Sequence, residues 1–218
     1  MSLSLNNNPI TYPVKCPFCK KDTPAHEIGF YQEGYSKYIV AKCLLCNEIF
    51  FIKEKGKFDQ EMGILIDDFD LSVYPLPIEE RIFSKEIQSI SPNFQNLYNE
   101  ALKSEQYELN NICGLAYRRS FEFLIRDFAC YLNPDKTNEI LKDNDFSNVI
   151  CNRIPNKVYF NDIKDISKRT WWIGSDYAHY NKKYEENDIK DIKDMIDLIV
   201  SNIESYVKTE KYKQIVKK

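Results

Sequence analysis

The spacing of apolar positions changes once along this chain. Before Pro77 they recur about every second residue, and after it about every 3.6, so strands precede helices. The run E-I-G-F-Y-Q-E-G-Y-S-K-Y-I-V-A-K is rich in aromatic and β-branched residues around a glycine turn, which predicts a hairpin. E-I-F-F-I-K, just beyond, predicts a third strand. Residues 56–78 contain a short strand at 64–66, an acidic turn and the prolines Pro75 and Pro77, and read as an extended connector holding the domain boundary.

In the helical part, S-P-N-F-Q-N-L-Y-N-E-A-L predicts a helix with Ser91 as N-cap, Pro92 as first residue and an apolar face of Phe94, Leu97, Tyr98 and Leu102. After a break near Gln106, residues 109–132 are apolar around most of the helix circumference, so this is the expected central helix, ending at Asn133-Pro134. Its polar stripe, Arg118, Arg119, Glu122 and Arg126, has spacings that suit either an Arg-Glu-Arg ladder or an anion site. Short helices are expected over 135–143 and 145–152, and a longer one from Tyr159 into Trp171 and Trp172. The last helix, 188–208, carries Ile189, Ile192, Ile196, Ile199, Ile203 and Tyr206 as a stripe for packing on its own bundle, and the basic tail 209–218 is expected to fray.

Cysteine spacing adds chemistry to this outline. C-P-F-C (Cys16, Cys19) and C-L-L-C (Cys43, Cys46) are two tight turns that each aim two thiolates at one ion, together a closed tetrahedral shell for one structural zinc. Residues 13–55 therefore read as a zinc ribbon, 56–78 as the connector and 79–208 as a mainly α helical bundle. Cys113, Cys130 and Cys151 lack a partner spacing and read as core residues, while His26 is expected on the ribbon surface. A net charge of -3 excludes coating nucleic acid by bulk positive charge and leaves only a focused site for anions. With no cationic start followed by an apolar run, and no segment near the ~20 apolar residues that span a bilayer, a cytoplasmic protein without membrane contact is expected.

Three segments, S-P-N-F-Q-N-L-Y-N-E-A, R-S-F-E in the central helix and G-S-D-Y-A-H before the last one, together resemble the domain-of-unknown-function family numbered 4145. The resemblance spans about residues 70–207, and the ribbon and V-Y-P connector fit that family's usual arrangement. It implies a HEPN-like helical bundle, a nucleic-acid- or nucleotide-associated role in a prokaryotic defence or restriction-type system, and a homodimer through the helical domain. Active HEPN members are metal-independent ribonucleases in which an Arg and a His meet their copies in a cleft. Gly174, Ala178 and His179 match the family's segment, Ser175 stands at its Asn position, and Trp172 falls where the superfamily has its Arg. His179, Arg169, Arg119 and Glu122 are then the candidate catalytic residues, with RNA as substrate.

Locally, Gly174 is expected to end one helix and Ser175 or Asp176 to cap the next, which would place a neutral His179 in a first turn that favours anions. Such a histidine could act as base on a ribose hydroxyl while Arg169 or Arg119 stabilised phosphate charge. The competing expectation is a non-catalytic adaptor for a protein partner, in which Trp171 and Trp172 plug the bundle and His179 bonds Glu122 or a carbonyl.

Overall fold

The computed structural model describes residues 4–59, 64–181, 183, 184, 186 and 188–215. The chain divides into two units, Met1–Glu79 and Glu80–Lys218.

The first unit is a small antiparallel sheet with a cysteine cluster. Its strands are β1 (Ser4–Pro9), β2 (Val14–Lys15), β3 (Asp22–Thr23), β4 (Ala25–Glu33), β5 (Ser36–Cys43), β6 (Ile49–Asp59) and β7 (Ile64–Tyr74). Five of them form one sheet in the order β1-β4-β5-β6-β7, and β2 and β3 form a separate ladder. The expected hairpin is β4–β5, turned by Gly34 at φ 56°, a left-handed conformation that glycine adopts without steric cost. Alternation sends Ile39, Ala41 and Cys43 of β5 inward, and their register partners Ile52 and Phe50 of β6 share that face.

Residues 56–78, expected as a connector, do not behave as one. β7 is an 11-residue strand paired along β6, with Phe51 opposite Tyr74 and Ile52 opposite Val73. The acidic residues in D-D-F-D hid this strand, because an edge strand tolerates charge that a central one would not. Residues 60–63 of that segment lie outside the described residues.

The second unit contains α1 (Lys85–Ile90), α2 (Phe94–Gln106), α3 (Asn110–Leu132), α4 (Thr137–Lys142), α5 (Phe146–Asn148) running into a π turn (Val149–Arg153), α6 (Val158–Asp176) and α7 (Ile189–Lys213). α3 is the central helix, and Tyr117, Phe121, Leu124, Ile125 and Phe128 are fully buried. The isoleucine stripe of α7 packs into the same core through Ile192, Ile196, Ile199 and Ile203.

Three local expectations give way here. Ser91 caps no helix N-terminus: α2 starts at Phe94, and the buried Ser91 hydroxyl donates to Asp127 Oδ2 at 2.5 Å. α6 runs through Gly174 instead of ending there. Gly174 serves close approach, since a Cβ on it would sit 2.8 Å from Arg118 Cβ on α3. Finally, α7 continues into the supposed frayed tail as far as Lys213, where Lys213 pairs with Glu210 at 2.7 Å; residues 216–218 lie outside the described residues.

Candidate functional site

The two cysteine turns are built alike. In the first, Lys20 N–H donates to Cys16 O at 2.9 Å; in the second, Asn47 N–H donates to Cys43 O at 3.0 Å. The residue after each second cysteine, Lys20 or Asn47, takes a positive φ of 60° or 63°, which curls the turn tightly enough for both sulfurs to face one point. Cys16 Sγ lies 3.7 Å from Cys46 Sγ, and Cys19 Sγ lies 3.8 Å from Cys43 Sγ. All four sulfurs fall within 4.8 Å of one another. Tetrahedral coordination with metal–sulfur bonds of about 2.3 Å requires sulfurs about 3.8 Å apart, so the spacing fits one ion. Leu45 N–H donates to Cys43 Sγ at 3.4 Å, which helps to carry thiolate charge. Burial pushes the pKa of the Cys16 thiol up to about 12, and a bound cation would supply the charge that makes four adjacent thiolates tolerable. The remaining cysteines are apart from this cluster: Cys113 is buried, and Cys130 and Cys151 are half-buried. His26 is half-buried, opposite Lys42 on the sheet face away from the cysteine core.

Among the described residues, no hydrogen bond or ion pair joins the four candidate catalytic residues to one another. Glu122 is taken by Arg126, whose Nε and Nη2 both reach Glu122 Oε1 at 2.8 Å while Nη1 donates to Ile140 O. Arg119 is exposed and lies over the Phe123 ring, 5.5 Å from its centroid. Arg169 is exposed and donates to Asp165 O at 2.8 Å. His179 is also exposed, and its backbone N–H donates to Asp176 O at 3.1 Å. It follows the C-terminus of α6 instead of opening a helix, so the dipole at its position disfavours an anion. The cap of the next helix is Asp188, which forms a reciprocal capping box with Asp191.

Two adjoining cavities share Trp172 and Tyr184. One, of about 460 Å³, is lined by His179, Ser175, Asp176 and Tyr180; the other, of about 410 Å³, by Arg169, Asp191, Asp194, Met195 and Leu198. Trp172 lines both cavities, Arg169 only the second and His179 only the first. The two tryptophans separate in role. Trp171 is half-buried against Phe146, at 4.5 Å between centroids, whereas Trp172 is 47% exposed.

Sequence reasoning missed two residues that organise this corner. Arg118, expected in the ion-pair ladder, stacks its guanidinium 3.7 Å from the Trp171 ring, and burial lowers its pKa. Its Nε has no hydrogen-bond partner among the described residues. The signal available was Gly174, a glycine inside a helix, which marks where another chain segment comes close. Asp176, expected as a helix cap, is buried and accepts from the backbone N–H groups of Lys183 and Tyr184, each at 2.6 Å, pinning the loop after α6.

No helix among the described residues is long and apolar enough to cross a membrane. Compared with known proteins, the chain matches no family model, no curated protein and no solved structure.

Proposed function

We propose that this chain is a zinc-ribbon protein with a HEPN-like helical unit that works as a non-catalytic adaptor, in keeping with the prokaryotic defence or restriction-type role that the family resemblance implies. The observation that carries this reading is that Arg169 and His179 line different cavities, with Trp172 common to both. A ribonuclease of the HEPN kind needs its cation and its base on the same phosphodiester, within hydrogen-bond reach of the reacting oxygens. Here Glu122 is engaged by Arg126 and Arg119 lies on its own helix against Phe123.

The cavity beside Arg169 suits a binding role. Trp172, Ile173, Met195 and Leu198 give it apolar lining, and Asp191 and Asp194 outnumber Arg169 among its charges, which fits a partner segment bearing an apolar residue next to a lysine or arginine. Zinc is the metal assigned to the four thiolates, one ion per chain, because an all-cysteine closed shell is its usual structural site.

The test is incubation of the full chain with varied single-stranded RNAs without added metal. An adaptor leaves them at full length, and His179→Ala changes nothing. Cleavage that disappears in His179→Ala and in Arg169→Gln would replace the adaptor with a metal-independent endoribonuclease. Metal analysis of the purified protein should return one zinc per chain, and a Cys43→Ser variant should lose it.

A further inference from the structure

Directly paired residues of an antiparallel sheet share a face. On the face turned away from the cysteine core, Tyr31 pairs with Tyr38, Tyr38 with Lys53, and Lys53 with Ser72. In the next row Val40 pairs with Phe51 and Phe51 with Tyr74, and in the row after that His26 pairs with Lys42 and Lys42 with Ile49. Four neighbouring rings are therefore held on one surface, and all are open to solvent: Tyr31 43%, Tyr38 38%, Phe51 56% and Tyr74 46% exposed. Burial is the usual fate of large rings, and a contiguous exposed set marks a binding surface.

The charge on this face selects the ligand. Lys42 and Lys53 lie among the rings, with Lys53 Nζ 5.3 Å from the centroid of Tyr38. The three rows contain no carboxylate; Glu33 and Asp70 belong to the row beyond, which pairs Glu33 with Ser36 and Asp70 with Lys55. An overall charge of -3 makes this local excess of cations a focused feature. Flat aromatic faces interleaved with ammonium groups are the chemistry that takes unpaired bases and the phosphates between them. The bases of a duplex are already stacked and cannot use the rings. Three of the four rings are tyrosines, and Ser72 stands beside Lys53, so hydroxyls that can exchange hydrogen bonds with a ribose 2′-hydroxyl surround the platform.

We propose that this open sheet face binds single-stranded RNA, with successive bases stacked on Tyr38, Phe51 and their neighbouring rings and with Lys42 and Lys53 on the phosphates. The site lies in the first unit and is independent of the adaptor cleft. Its failure would leave the adaptor standing, and RNA cleavage would overturn the adaptor without touching this site.

The measurement is fluorescence anisotropy of labelled U12 titrated with the full-length, zinc-loaded protein. Saturable binding is expected, with a log–log salt slope of about -1.4 for two neutralised phosphates. The Tyr38→Ala/Phe51→Ala double variant should bind about tenfold more weakly or worse, with zinc content and circular dichroism unchanged. Should that variant lose its zinc, Lys53→Glu tests the same face without removing a ring, and it should both weaken binding and flatten the slope. Absence of U12 binding overturns the proposal and leaves the rings to a protein ligand. Equal affinity for dT12 overturns the RNA assignment, and variants that bind as well as the parent overturn the location.

Discussion

Lys164 is buried, and its ammonium donates to Cys151 O at 2.6 Å, to Ile154 O at 3.2 Å and to the Asn156 side chain. These acceptors close the π turn, whose last carbonyls have no following helical turn to bond. Lys164→Met keeps the stem and removes the donors, so it is expected to cost about 1–3 kcal/mol, read from urea unfolding. Asp127 gives a pH signature. Burial holds its carboxyl above the ordinary range, and the Ser91 hydroxyl partly offsets this by favouring the ionised form. A raised folded-state value means that the folded chain holds this proton more tightly than the unfolded one. The penalty is absent below the ordinary carboxylate pKa and grows as pH rises through the folded value. Asp127→Asn should therefore gain stability relative to the parent at pH 7 and lose that gain at pH 3, followed by urea unfolding of the helical unit. None of these partners is legible in sequence, because Lys164 with Cys151 and Ser91 with Asp127 are joined by tertiary contact and not by helical spacing.

At the scale of elements, α3 and α6 are locked by two glycines. A Cβ at Gly114 would lie 2.3 Å from the Tyr177 ring, and one at Gly174 would lie 2.8 Å from Arg118 Cβ. Alanine at either position forces a shift, with an expected loss of about 1–3 kcal/mol by overpacking. Thermal unfolding should show the larger loss for Gly114→Ala, where a whole ring must move. A variant melting with the parent at both positions would show that the helices are not held this closely. Helix periodicity was readable where the apolar face was regular: α2 ends at Gln106, α3 at Leu132, and α7 carries its isoleucines inward as expected. Reading failed where a residue type has two uses. Gly174 looked like a stop and is a contact; Ser91-Pro92 looked like a helix start and precedes it; Pro75 and Pro77 suggested a linker, although they follow a full strand.

The whole molecule has two cores, and the four-cysteine cluster belongs to one of them. The sheet core includes Cys16 and Cys43 themselves, whereas the helical core is complete within its own residues. Loss of an ion from the four cysteines would leave buried thiols without a cation, so a strong chelator should abolish the sheet unit's tertiary signals while the helical far-ultraviolet signal persists. Loss of both together would contradict this independence. Of the functional sites, the four thiolates were legible because ligand spacing is local. The surroundings of His179 were not, since they depend on α6 continuing past Gly174 and carrying His179 beyond its C-terminus. The open aromatic face was equally hidden, because it requires the register of four strands, one of them the unexpected β7. The central claim is that this protein binds its ligands without cutting them. Labelled single-stranded RNA incubated with the zinc-loaded full chain, read by anisotropy and then by denaturing gel, tests it most directly. The account predicts bound RNA recovered at full length; shortened products that vanish with His179→Ala would contradict it.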